Sequence, residues 1–165
     1  MKKHVVLILS TITLSLANFY IKAQESTEKI QKEIIKQASK KIKKAGYKLD
    51  GNYLTYFAAK GDMDWVQTYL NAGIDPNSSV SPFYDPNEYK FNELQREIRD
   101  SLGQGIRDIK YPIIAASAFN HYEIVKLLIE KGANVNVNTT EDKWTPLMYA
   151  AKNRNVEMVK MRIRG

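Results

Sequence analysis

Few side chains in this chain belong to the types that carry out covalent or metal chemistry. There is no cysteine, which removes disulfides, thiolate zinc sites, iron–sulfur clusters and cysteine nucleophiles. The two histidines, His4 and His121, stand far apart, and neither has a second histidine or a set of carboxylates at the spacing a metal site needs. Glu123 and Glu157 are acidic residues of a type that active sites use. They occupy matching places in two similar stretches, however, and recurrence points to structure, because an active site is built once. Gly103-Gln104-Gly105 is a lone GxG without the strand and third glycine of a dinucleotide fingerprint, and no GxxxxGK[ST], HExxH or GxSxG motif occurs. The expectation is a chain with no catalytic residues, no metal and no cofactor, whose chemistry is non-covalent recognition.

Aromatic residues are the candidates for that recognition. The stretch SPFYDPNEYKF sets Phe83, Tyr84, Tyr89 and Phe91 between and after Pro82 and Pro86, as a proline-held loop. FNELQREIRDSLG follows as one short amphipathic helix, with Leu94, Ile98 and Leu102 four apart and Gly103 at its end. Tyr84 and Tyr89 either pack back as an elaborated turn or project as a partner-binding finger, since exposed aromatics commonly anchor interfaces. Trp65 falls in an apolar helical stripe and is expected in the core. Trp144 precedes a turn, with packing and partner contact equally open to it.

The elements that would position these groups are helical throughout. Lys2 and Lys3 precede an apolar run, Val5–Ala17, and a short polar region ends at Ala23-Gln24: the pattern of a secretory signal over residues 1–23, with cleavage expected near Ala23. The run is interrupted by Ser and Thr and is short for a membrane span of roughly 20 residues. Removing residues 1–23 takes away Lys2, Lys3 and Lys22 and lowers the formal charge from +7 to about +4. So mild a surplus gives no reason to expect nucleic acid. Residues 24–49 read as a basic amphipathic capping helix. Ile30, Ile34, Ala38, Ile42 and Ala45 form one face, Ser26 or Thr27 caps the start, and Gly46 stops it. Its lysines Lys36, Lys40, Lys41, Lys43 and Lys44 favour the negative end of the helix dipole, or alternatively an acidic partner or weak contact with an anionic membrane.

The remainder, residues 50–165, repeats itself. Setting Gly73 on Gly132 aligns AGIDPN with KGANVN, and setting Pro112 on Pro146 aligns YPIIAASAFNHYEIVKLL with TPLMYAAKNRNVEMVKMR. The units run over about 50–80, 108–140 and 141–165, the last incomplete, with an insert at 78–107. Thr145-Pro146-Leu147, Ala150-Ala151 and Val156-Glu157-Met158-Val159-Lys160 in the third unit, with Pro112, Ala116, Glu123–Leu128 and Gly132-Ala133-Asn134-Val135-Asn136 in the second, resemble the ankyrin repeat. The physical sense of the pattern is plain. Thr145 caps a first helix and Pro146 opens it. Alanines keep that helix thin, a second helix carries the large apolar groups, and Gly132 ends it in a left-handed turn.

The resemblance implies an all-α solenoid of helix-turn-helix units with projecting turns, closed at its N-terminal end by the capping helix. It also implies a non-catalytic module that binds a protein partner through the turn tips and the groove beside the first helices. By matching position, that surface is Asn138, Thr139, Thr140, Glu141, Asp142, Lys143 and Trp144 at one tip, with Phe119, Lys152 and Asn153 beside the first helices. His121, at the place of the family's common Gly-His pair, is expected to make a structural hydrogen bond. Two departures matter. Tyr53 stands for the proline and Phe57 for the first alanine, so a less regular first helix is expected in the first unit. Arg162 stands where the second unit has Leu128. A solvated cap, a covering molecule or truncation relative to a longer relative would each account for it, and truncation is the preferred reading. An exported protein-binding module is therefore expected, with an envelope-associated protein using the basic helix as the alternative and an enzyme's accessory subunit more distant.

Overall fold

Short polar side chains cut the chain into helices. Asp50 Oδ1 accepts from the backbone N–H groups of Asn52 and Tyr53, and Asp62 Oδ1 from that of Trp65 at 3.1 Å. Thr145 Oγ1 accepts from Met148 N at 3.3 Å, and Asn155 Oδ1 from Met158 N at 2.9 Å. Each satisfies a donor that has no partner inside its own helix. The computed structural model describes residues 2–79, 109–140 and 142–161, with side chains from Leu16 onward. Its helices are α1 (Lys2–Lys44), α2 (Gly51–Lys60), α3 (Met63–Asn71), α4 (Pro112–Ala118), α5 (Tyr122–Glu130), α6 (Pro146–Lys152) and α7 (Val156–Met161). No strand occurs among the described residues. The insert at 78–107 lies outside them beyond Ser79, as do Arg162 and the expected helix ended by Gly103.

The pairs α2–α3, α4–α5 and α6–α7 are the three repeat units. Their first helices pack in one row, α2 on α4 and α4 on α6, and their second helices in another. In the first row Ala58, Ala59, Ala115, Ala116 and Ala150 are buried. The small side chains let these helices approach closely, and Leu54, Ile113, Ile114, Val66, Val125 and Leu128 fill the space between the rows. The expected irregularity of α2 is not observed. It is a regular ten-residue helix, because the Asp50 cap replaces the proline start and the bulky residues have a place to go. Phe57 stacks on Trp65 at 5.3 Å between centroids, Tyr47 meets Phe57 and Trp65 edge-on, and Tyr69 donates from its hydroxyl to the Lys48 carbonyl at 2.9 Å. Trp65 is thus part of the core margin, as its stripe predicts.

The N-terminal helix differs from expectation at its start. It runs unbroken from Lys2 to Lys44 rather than beginning near residue 24. Neither Ser26 nor Thr27 caps it. Thr27 lies inside the helix and its hydroxyl donates back to the Ala23 carbonyl at 2.9 Å, the bond a mid-helix threonine makes. Among its described side chains, those packed on α3 and the first unit lie in its last part. Ala38 and Ile42 are buried, while Ile30 (59% exposed) and Ile34 face solvent. Gly46 ends it at φ +76°, as the sequence implies.

One backbone position recurs in all three units. The residue between the paired helices is left-handed each time: Gly61 at φ +77°, Asn120 at +62° and Arg154 at +56°. Glycine meets this freely and asparagine tolerates it, but arginine pays the Cβ–carbonyl clash. Arg154→Gly is expected to raise stability by about 0.5–1 kcal/mol, read as a higher denaturant midpoint at unchanged slope. Ile42→Ala, which empties a fully buried site, is expected to cost about 2–4 kcal/mol. Ile30→Ala in the same helix should leave the midpoint unchanged, as thermal or urea unfolding will show.

Candidate protein-binding face

Contacts between units reach across from one helix pair to the next through side chains aimed at backbone carbonyls. His121 Nε2 donates to the Ala59 carbonyl at 2.9 Å, which places the ring proton on Nε2. Its ring lies parallel to Phe119 at 6.2 Å. It also lies against Gly61, where a Cβ would come within 2.5 Å of the ring, so glycine there serves the left-handed turn and the bridge together. The expected structural role of His121 is therefore the one the geometry gives it. Asn153 repeats the device one unit later, its Nδ2 donating to the carbonyls of Ser117 at 2.9 Å and Ala118 at 3.2 Å. Asn155 Nδ2 donates to Asn120 Oδ1 at 2.6 Å while its own oxygen caps α7.

The turn tips are tied in the same way. Asn77 donates to the Gly132 carbonyl at 3.0 Å and accepts from Asn134 N at 2.7 Å, joining the first tip to the second unit's turn. Asp75 and Asn134 each accept from the N–H two residues on, the Asx turn that asparagine-rich loops favour. At the tip between the second and third units, Thr139 and Trp144 close the turn. The Thr139 N–H donates to the Trp144 carbonyl at 3.0 Å and the Trp144 N–H to Thr139 Oγ1 at 2.9 Å.

This geometry sorts the residues expected to bind a partner. Asn138, Asp142 and Lys143 are exposed on the tip, Lys143 in a left-handed conformation at φ +56°. Lys152 is exposed at the end of α6 with its ammonium 5.3 Å from the Trp144 ring centroid, and Trp144 in turn lies 5.0 Å from Tyr149. The structure thus brings Asp142, Trp144 and Lys152 into one cluster that joins the tip to the first-helix row. Burial first, and the Asp142 carboxylate second, hold the Tyr149 phenol above its usual value of 10.0, so it remains neutral at physiological pH. Thr139 is buried and its hydroxyl is spent inside the turn, so it is a turn-closing residue rather than a contact. Asn153 is half-buried and holds the neighbouring unit's helix end, so its amide is committed to the stack. Phe119 is half-buried beside His121 and offers a ring edge at most. Glu141, Tyr84 and Tyr89 lie outside the described residues.

Sequence reasoning missed Asn155 and Asn77 as bridges between units. The signal for Asn155 was available, since it stands 34 residues after His121 at the same place in its unit. It also missed two exposed apolar side chains of the last unit, Met148 (50% exposed) and Val156 (60% exposed). Met148 matches Ile114, which is fully covered by its neighbours. The last unit therefore presents uncovered the face that the second unit buries.

Comparison with known proteins agrees with this architecture. Ankyrin repeats (3 copies) match residues 54–161, which spans all three helix pairs from α2 to α7. The ankyrin repeat protein FPV031 of Fowlpox virus (strain NVSL) is 31% identical over 110 residues, covering 66% of this chain and 25% of that protein. The chain thus spans about a quarter of the length of the curated relative it matches. With all-helical units, left-handed turns at equivalent places and bridges at a matching register, the chain belongs to the ankyrin repeat family, whose stacks serve as protein–protein interaction modules.

Proposed function

We propose that this chain is an exported, non-catalytic binding module that holds a protein partner on the tip at 138–144 and the adjoining end of α6. The observation that carries the reading is the cluster of Asp142, Trp144 and Lys152. The half-buried Trp144 ring is fixed between Tyr149 and the Lys152 ammonium, with Asp142 and Lys143 exposed on the same tip. Rigid aromatics ringed by polar groups are what hot spots of protein interfaces are made of. Trp144 is the anchor, Asp142, Lys143 and Lys152 supply charge selectivity, and Asn138 extends the edge. The opposite charges at such a rim act chiefly on association and specificity.

Export is supported by the order of Lys2, Lys3, the apolar run and Ala23, and by how little the fold uses this segment. Among the described side chains of α1 the first buried one is Ala38, and Leu16, Phe19, Tyr20 and Ile21 are all exposed. Cleavage after Ala23 removes no core contact of the described side chains. A second reading, envelope association, draws on the same exposed apolar residues, which lie along a helix carrying Lys22, Lys29 and Lys32 and suit an interfacial position. Among the described residues no helix is long and apolar enough to cross a membrane.

Two measurements test these readings. Asp142→Lys with Lys152→Glu inverts the rim and removes the Lys152 ammonium from the Trp144 ring, while the Thr139–Trp144 turn bonds and the Tyr149 contact are kept. With the full chain as bait in an envelope extract, one stoichiometric protein is expected to be retained by the wild type, and the double variant should bind it at least about tenfold more weakly at unchanged unfolding midpoint. Equal retention by both proteins would count against this face. For export, residues 24–165 are expected to unfold within about 0.5 kcal/mol of the full chain. The mass of the protein recovered outside the cytoplasm should correspond to a start at Gln24, and an intact Met1 would contradict cleavage.

A further inference from the structure

The turn tip is not the only place where charge and an aromatic face are held together. On the far side of the first unit, α1 and α3 enclose a groove lined by Gln37, Lys40, Lys41, Lys44, Ala45 and Trp65. Its rows follow from helical spacing. Gln37, Lys41 and Ala45 are successive i, i+4 positions and form the floor against α3, while Lys40 and Lys44 form the rim. Lys41 is built into the floor. Its ammonium donates to Asp64 Oδ2 at 2.6 Å and to Thr68 Oγ1 at 3.0 Å, and sits 4.9 Å from the Trp65 ring centroid. The Thr68 hydroxyl donates on to the Asp64 carbonyl at 2.7 Å, and Trp65 is braced from behind by Phe57 and Tyr47. The floor is thus held by side-chain bonds, and the two carboxylates beside it are engaged, Asp64 by Lys41 and Glu33 by Gln37 at 3.2 Å and by Lys36 at 3.9 Å.

The rim is different. Lys40 and Lys44 are exposed and their ammonium groups have no hydrogen-bond or ion-pair partner among the described residues, and neither has that of Lys43 beside them. Proximity to the negative end of the α1 dipole explains why lysines are tolerated here. It does not explain why two of them stand one turn apart over a concave surface whose base is a fixed tryptophan. From these positions we infer that the groove is a second docking site, and that its occupant is an acidic peptide segment of a partner protein. One helical turn separates Lys40 and Lys44 by roughly 6 Å along the axis. That matches carboxylates two residues apart on an extended strand, which repeat at roughly 6.8 Å, and an apolar side chain between groove and strand would rest on Trp65 and Ala45. The groove is shallow and open, so what favours a peptide over a membrane is the match to alternate strand carboxylates and the fixed tryptophan face rather than depth. This site is separate from the tip at 138–144, and the two readings stand or fall independently.

The test uses the full chain carrying Trp144→Phe, which leaves Trp65 as the single tryptophan, and a fluorescein-labelled oligoglutamate peptide with one central leucine. Saturable binding is expected at low salt, weakening as sodium chloride is raised. The Trp65 emission should change on binding. Lys40→Ala with Lys44→Ala should weaken binding about tenfold. The charge-matched pair Lys126→Ala with Lys131→Ala, exposed on and after α5, should leave it unchanged. No saturable binding, equal loss in both pairs, or an unchanged Trp65 signal would overturn the inference. So would tighter capture by phosphatidylglycerol vesicles than by the peptide, which would assign the lysines to lipid, or full competition by inorganic phosphate at equal concentration, which would reduce the groove to a simple anion site.

Discussion

Everything in this chain depends on how closely the first helices of neighbouring units approach. A unit of two helices cannot cover its own apolar face, so stability arises between units rather than within them. The alanines of α2, α4 and α6 make the approach possible, and the left-handed residues at Gly61, Asn120 and Arg154 return the chain so that each second helix lies behind its first. Once the helices are that close, a side chain from one unit can reach the exposed carbonyls at the end of its neighbour's first helix. His121 does so at the first junction and Asn153 at the second. These bonds satisfy backbone acceptors that helix ends leave open, and they fix the rotation of one unit against the next.

The two junctions are filled differently. The first is backed by a continuous aromatic group of Tyr47, Tyr53, Phe57, Trp65 and Tyr69, and by α1 through Ala38 and Ile42. The second has a small cleft bordered by Ile113, Val125, Pro146 and Met158, with the Ser117 hydroxyl buried beside it and unpaired among the described residues. Polar bridging through Asn153 and Asn155 ties the two units together there. The tip that carries Asp142 and Trp144 is set by this second junction, because Lys152 and Tyr149 of α6 hold the Trp144 ring. The geometry of the tip and the cohesion of the last unit are thus coupled through one short helix.

The repeat register was legible because it rests on residue types with few alternatives. Pro at the first turn, paired alanines and Gly132 in a left-handed stop each do something that other residues do poorly, so their order alone gave helices α4 to α7 and the stop at Gly46. The start of α1 was not legible, since Ser26 and Thr27 are good caps in isolation and only their position inside a longer helix makes Thr27 bond back to Ala23 instead. The regularity of α2 was misjudged for a related reason. Tyr53 and Phe57 look too large for a thin helix until Tyr47, Trp65 and Tyr69 are brought from elsewhere to pack on them. At the candidate site, sequence position pointed to the tip residues but not to which of their side chains are taken up inside the turn. Thr139 and Asn153 read as exposed polar residues, and their hydrogen bonds are made by residues that only the stack brings near. The groove between α1 and α3 was half visible: the lysines stood out as a charged run, while Trp65 as their neighbour did not.

Hydrogen–deuterium exchange of the full chain, alone and bound to the partner protein proposed above, tests most directly whether recognition sits on the tip and the first-helix row. The account predicts slowed exchange on binding over residues 138–153 with the amides of α5 unchanged. Protection confined to α5 and α7, with the tip exchanging as in the free chain, would contradict it.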